Sequence, residues 1–166
     1  MTTGTEPAVE VVDLAQTPLR DLNARLHAAA DEPDSPRRWR VSNPGGRHAI
    51  AVGLDAPLAV DVEGHVGYYC AGMNQHAVVR VHGNCGVGVA ENIMSGSVIV
   101  EGTASQSAGA TGRGGLLVIR GDAASRCGIS MKGVDIVVHG SVGHMSAFMA
   151  QKGRLLVCGD AGEALG

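Results

Sequence analysis

A glycine returns at every nineteenth residue along most of this chain: Gly64, Gly83, Gly102, Gly121, Gly140 and Gly159. Glycine makes up 25 of the 166 residues, so six hits in one chosen phase have chance odds on the order of 10⁻⁵, and a fixed period near twenty residues marks a solenoid. Four and two residues before each glycine stand Val60 and Val62, Val79 and Val81, Val98 and Val100, Leu117 and Ile119, Ile136 and Val138, Leu155 and Val157. All twelve are aliphatic and lie at the two-residue strand period, so each pair points to one face, which is the core. The residues just before the glycines, Glu63, His82, Glu101, Arg120, His139 and Cys158, are mainly polar and fall on the opposite face.

Small residues fill three further columns. Two past the glycine stand Val66, Cys85, Ala104, Ala123, Val142 and Ala161; three past, Gly67, Gly86, Ser105, Ala124, Gly143 and Gly162; seven past, Ala71, Ala90, Gly109, Gly128, Ala147 and Gly166. They suit corners where one coil sits closely on the next, and glycine there also permits positive φ. Nineteen residues are too few for a strand, a full helix and two turns. The pattern therefore predicts a mainly β protein, a parallel β-helix of about six coils spaced about 4.8 Å apart. A left-handed hexapeptide helix would need an apolar residue every sixth position, and a leucine-rich repeat would need its leucine and asparagine signature; neither is present.

The lead-in, residues 1–36, is of a different kind from the solenoid region, 37–166. An apolar stretch from Val9 to Leu14 is followed by Thr17 and Pro18, a cap and first-turn signal, and then by Leu19, Leu22, Leu26 and Ala30 at helical spacing. This short helix is expected to pack either on the solenoid, covering one end of the rod because solenoid ends need covering, or on a partner. Asp31 to Pro36 ends it in a polar linker. Trp39 to Val41 and Ala49 to Val52 are predicted strands around the turn Asn43 to Gly46, forming an irregular lead-in coil. Tyr68 and Tyr69, in a chain with 2% aromatics, are expected either to plug the rod, the favoured reading, or to mark a contact surface.

Formal net charge is −3 and there is no basic block, which argues against nucleic acid as a partner. Met1 to Glu10 lacks a basic region followed by an apolar run, and no stretch has the length of a membrane span, so a cytoplasmic location is expected. Cys70, Cys85, Cys127 and Cys158 show no metal spacing. Cys70 and Cys127 share a column but lie three coils apart, about 14 Å, beyond the reach of a disulfide. Four small buried or half-buried thiols in a reducing compartment are expected.

No residue pattern predicts catalysis. His82 and His139 are three coils apart, and His144 has only Glu163 within one coil of its column, so no metal site is expected. Asp122 and Asp160 belong to turns, no carboxylate pair is placed for acid–base work, and Ser105, Ser107 and Ser130 lack a nucleophile elbow. The glycine-rich run from Gly109 to Gly115 lacks the phosphate-loop arrangement, and the solenoid period already explains its glycines. Two columns instead suggest contact. Three residues before the glycines run Asp61, Arg80, Ile99, Val118, Val137 and Leu156, whose last four form an outward aliphatic ridge that something should cover, either the helix or another protein. Gln75, Met94, Arg113, Lys132 and Gln151 stack in a second column, a solvated edge in which Met94, Arg113 and Lys132 are of interface type.

The runs Gly86 to Gly96 (GVGVAENIMSG), Ala104 to Gly115 (ASQSAGATGRGG), Arg126 to Gly133 (RCGISMKG) and Gly143 to Ala150 (GHMSAFMA) resemble the GXGXG domain, the C-terminal β-helix of the glutamate synthase large subunit. The likeness covers about Val60 to Gly166 and is nearest to the stand-alone form of that domain, found beside separate glutaminase-like and FMN-dependent synthase-like subunits, as in N-methylglutamate synthase. The lead-in also resembles that form. The resemblance implies a structural subunit of a complex forming glutamate or N-methylglutamate from glutamine or an amine. It implies no catalytic residue in this chain, with FMN and iron–sulfur centres in a partner. Relatives usually continue where this sequence stops at Gly166, so the last coil is expected to be open. The alternatives are the matching β-helix subunit of a formylmethanofuran dehydrogenase or formyltransferase–hydrolase complex, and an independent β-helical enzyme, which would need a carboxylate or histidine cluster along one groove.

Overall fold

The computed structural model describes residues 8 to 166. Residues 1 to 7 of the lead-in, and with them most of the Met1 to Glu10 stretch searched for a leader, lie outside the described residues. The chain forms β1 (Val9–Asp13), α1 (Leu19–Asp31), β2 (Arg38–Ser42), β3 (Ala59–Glu63), β4 (Val78–Val81), β5 (Ser97–Val100), β6 (Leu116–Ile119), β7 (Lys132–Val138) and β8 (Lys152–Val157). The strands make one eight-stranded, wholly parallel sheet in sequence order. Ala59 pairs with Val78, Val78 with Ser97, Ser97 with Leu116, Leu116 with Asp135 and Asp135 with Arg154. Each partner is nineteen residues on, so the sequence period is the coil of a β-solenoid. A second ladder of single-residue bridges runs through Val66, Cys85, Ala104, Ala123, Val142 and Ala161.

The inward pairs from Val60 and Val62 to Ile136 and Val138 are buried, and Leu155 and Val157 partly so. Burying each such side chain contributes about 1.5–3 kcal/mol, which lets a core of small aliphatics hold a narrow rod whose coils bury one another. The glycine column serves close approach. A Cβ at Gly102 would lie 2.7 Å from the Gly83 carbonyl oxygen, and at Gly121 2.8 Å from that of Gly102. Those backbones approach because Gly102 N donates to Gly83 O, Gly121 N to Gly102 O, Gly140 N to Gly121 O and Gly159 N to Gly140 O. Gly67, Gly86, Gly143 and Gly162 likewise face the preceding coil's backbone or side chains.

Apart from Gly64, at φ +132°, positive φ occurs outside the glycine column. All six members of the column seven past the glycine adopt it, as do Tyr69, Gly88, Ser107, Arg126 and Met145 two residues earlier and Met73, Asn92, Thr111, Ser130 and Met149 two residues later. A left-handed conformation costs a non-glycine residue roughly 1–2 kcal/mol. Here it turns successive amides alternately to the two neighbouring coils. Tyr69 N donates forward to Val87 O, Ala71 N back to Ile50 O, and Met73 N forward to Glu91 O. Stacking the same conformation coil on coil thus pairs every second N–H of a run that is not a strand.

Ala49–Val52 is not a strand but an earlier copy of this run, with Ala49 and Ala51 at positive φ. Together with β2, which pairs with β3 across a coil two residues longer than nineteen, it makes an additional coil of the solenoid. The helix covers its end. Leu22, Leu26 and Ala29 enter the core, with Leu19 and Ala30 packed at its margin. Asn23 brackets the run, donating from Nδ2 to Ala49 O at 2.9 Å and accepting from Ala51 N at Oδ1 at 3.0 Å. Its amide thereby supplies the partners that a preceding coil's backbone would. At the helix start Pro18 occupies the cap position, with no side-chain cap bond; Thr17 instead donates its N–H to Asp13 O.

Candidate interaction surface

The outward ridge is continuous. Asp61 lies beside Arg80, Arg80 beside Ile99, Ile99 beside Val118, Val118 beside Val137 and Val137 beside Leu156. Ile99, Val118 and Val137 are half-buried by their neighbours, and Leu156 is 58% exposed. Two residues before this column, Val78 and Leu116 are also exposed and widen the apolar strip. Sequence reasoning missed them, although they stand at the same outward strand period as the ridge.

Along the other margin the charges are paired with one another. Arg80 Nη1 donates to Glu101 Oε1 at 2.6 Å, with Arg120 Nε 3.8 Å from Glu101 Oε2. His82 Nε2 lies 2.9 Å from Asp61 Oδ1, and Arg120 Nη1 3.4 Å from His139 Nε2. The face is therefore an apolar strip edged by charges that neutralise each other. The helix does not cover it: the side-chain hydrogen bonds of α1 end on Glu10, Ala49, Ala51 and Val52, and Arg37 donates to the helix carbonyl of Ala29, all around the first coil.

Met94, Arg113 and Lys132 lie on a separate exposed edge. The backbone keeps them aligned, since each of their N–H groups donates to the preceding coil, to Asn74 O, Ile93 O and Gly112 O. Among the described residues no hydrogen bond or ion pair joins this column to the ridge.

The remaining candidates separate. Among the described residues no group of three or more His, Cys, Asp or Glu side chains comes together. His144 Nδ1 accepts the backbone N–H of Glu163 at 3.2 Å, so it contacts that residue's main chain and not its carboxylate. This bond belongs to a wider set at the corners: His65 Nδ1 accepts from Asn84 N, Asn84 Oδ1 from Thr103 N, Asp122 Oδ1 from Ser141 N and Ser141 Oγ from Asp160 N. The polar residue after Gly64, Gly83, Gly121 and Gly140 carries that signal. All four cysteines are free; Cys70, Cys85 and Cys127 are buried, whereas Cys158 is exposed rather than half-buried, on the outer face of the last coil. Burial pushes the Cys70 and Cys127 thiols up to about 12 and raises that of Cys85 further.

Tyr68 and Tyr69 do not plug the rod. Both are 49% exposed, because they begin the left-handed run on its solvent side. Tyr68 stacks on the His48 ring at 4.4 Å. Tyr69 borders a cleft of about 420 Å³ together with Ala49, Val52, Gly72, Met73, Glu91 and Asn92. Burial raises the pKa of the Glu91 carboxyl.

Fold and surface together define a parallel β-solenoid with an apolar strip on its sheet face and an apolar cleft beside Tyr69. Over 82 residues, 49% of its length, the chain is 65% identical to Protein GlxC of Rhizobium meliloti (strain 1021), and the matched stretch covers 36% of that protein. No family model matches the chain, and no solved structure does either. Among the described residues no helix is long and apolar enough to cross a membrane.

Proposed function

We propose that this chain is the non-catalytic β-solenoid subunit of a glutamate synthase-like complex. It packs against a glutaminase-like subunit and an FMN-dependent synthase-like subunit that move ammonia from glutamine, or an amine, onto a 2-oxo acid. The observation that carries the reading is the ridge from Ile99 to Leu156, a flat apolar strip on a parallel sheet whose marginal charges are already paired. Such a face suits a large, shape-matched contact with another protein, since it brings no unpaired charge into the interface. The repeat resemblance supports the choice of complex.

FMN and iron–sulfur centres belong to the partners in this reading. The test is to purify the chain alone and with the products of neighbouring reading frames, then measure glutamine- or amine-dependent glutamate formation with a reduced electron donor. Turnover is expected only when all subunits are present. Turnover by the chain alone, or full turnover by the others without it, refutes the reading.

A further inference from the structure

The cleft beside Tyr69 lies on the left-handed run, a different part of the coil from the ridge, and its chemistry is the same whether or not the ridge seats a partner. One glycine lies in the cleft and a second, Gly88, beside its Tyr69 and Glu91 wall. Gly72 lies in its floor, where a Cβ would meet Tyr69 O at 3.3 Å and Val52 Cγ2 at 3.6 Å. Gly88, at φ +75°, leaves clear a point that is 2.7 Å from Tyr69 Cδ1 and 2.8 Å from Glu91 Oε2, so an aromatic ring edge and a carboxylate oxygen flank the same small space. Apart from Asn92, whose Oδ1 accepts the Thr111 hydroxyl, the rest of the lining is aliphatic or thioether.

Glu91 is the one charged group in this lining. Among the described residues no hydrogen bond or ion pair reaches its carboxylate, and its raised pKa has burial as its cause with no neighbouring charge to offset it. A half-buried carboxylate without a partner is costly, and the group that relieves the cost is a cation. The surroundings select which cation. Tyr69 offers a half-exposed aromatic ring and Met73 a polarisable thioether, both lining the cleft. A planar guanidinium can stack on the ring and fork onto the carboxylate while its aliphatic stem lies along the apolar lining.

We propose that the cleft between Tyr69, Met73 and Glu91 seats an arginine side chain of a partner protein, with the guanidinium against the Tyr69 ring and paired to the Glu91 carboxylate. Arginine anchors are enriched at protein interfaces, and the exposed tyrosines around the cleft would be covered by the backbone that carries such an anchor.

The probe is Nα-acetyl-arginine methylamide, compared with its uncharged isostere Nα-acetyl-citrulline methylamide and with n-butylammonium chloride. Each is titrated into the full chain carrying ¹³C-methyl methionine, with the Met73 signal assigned from a Met73→Leu variant. The arginine probe should move the Met73 methyl in the millimolar range, and the citrulline probe should bind about tenfold more weakly or worse. In Glu91→Gln, an isosteric change at a half-buried position that leaves the other methyl signals in place, arginine should lose that advantage. Tyr69→Leu should weaken arginine while preserving its preference over citrulline. Equal binding of arginine and citrulline, an unchanged arginine response in Glu91→Gln, or no movement of Met73 with any probe overturns the proposal. Butylammonium binding as tightly as arginine also overturns it, because the planar stack would then contribute nothing.

Discussion

Removing the side chain at one position in nineteen lets the Gly83, Gly102, Gly121, Gly140 and Gly159 backbones sit directly on one another. Their φ values are not in the left-handed region, so the requirement is steric. Gly121→Ala should accordingly cost about 1–3 kcal/mol, the range for overpacking a well-filled site, because its Cβ meets Gly102 O at 2.8 Å and Thr103 Cγ2 at 2.8 Å. Urea denaturation checks this, and an unchanged midpoint would show that the coils can separate without loss. The repeat exposes these glycines at once, yet a column of glycines reads the same whether it serves contact or conformation. The true left-handed positions are hidden for the opposite reason: Tyr69, Met73 and Arg126 are residue types that rarely signal positive φ.

The thiols give a second prediction at this scale. Cys70 and Cys127 ionise at about 12 in the fold and Cys85 higher still, against about 8.5 for a free thiol. Above that ordinary value the unfolded chain releases protons that the folded chain keeps, so rising pH favours unfolding. Stability should fall by about 1.4 kcal/mol per pH unit for each buried thiol until the folded thiols ionise near pH 12. Cys127→Ala should make that slope shallower by about a third; alanine already occupies the same column at Ala108. At neutral pH a thiol reagent should modify Cys158 alone in the folded protein and all four cysteines after unfolding. Rapid modification of a second cysteine in the native state would contradict the burial of the other three.

Among the elements, the strands are legible because a short parallel strand buried on one face must repeat its aliphatics every second residue. The Ala49–Val52 run reads as a strand in sequence because its composition is strand-like; only the stacked left-handed residues distinguish it, and nothing in AIAV specifies them. The helix is legible from its leucine stripe, but its most specific contact is not. Asn23 falls on the same helix face as that stripe, four residues after Leu19 and three before Leu26, but only the fold shows that its amide meets Ala49 and Ala51. Asn23→Ala should leave the buried Ala51 N–H without its acceptor and cost about 1–3 kcal/mol. Thermal unfolding would register this as a fall in Tm of several degrees, whereas Asn23→Asp, which keeps an oxygen for Ala51, should cost less. Equal losses from both would mean that the Ala51 bond is not the one that matters.

At the scale of the whole molecule the question is what a rod with a capped first coil and an uncovered sheet face does with that face. The helix side-chain bonds stop at Val52, so α1 does not stabilise the ridge, and the ridge residues point away from the core that holds the coils together. Replacing Val118 and Val137 with lysine should therefore leave the fold intact. Each lysine would stand in an outward strand position where the stem can lie along Ile99 and Leu156 while the ammonium reaches water, and the lost β propensity and ridge packing should together cost on the order of 1 kcal/mol. Assembly should respond differently, because two cations in an apolar strip cannot be matched by a partner surface shaped for valine. The expected result is a nearly unchanged Tm for the isolated chain together with loss of co-purification with the proposed partner subunits. Collapse of the isolated chain would place the ridge in its own core, and retained assembly would move the partner's seat elsewhere. Glu91→Gln then supplies the contrast, since losing the proposed arginine contact in the cleft should weaken assembly while leaving the ridge unaltered.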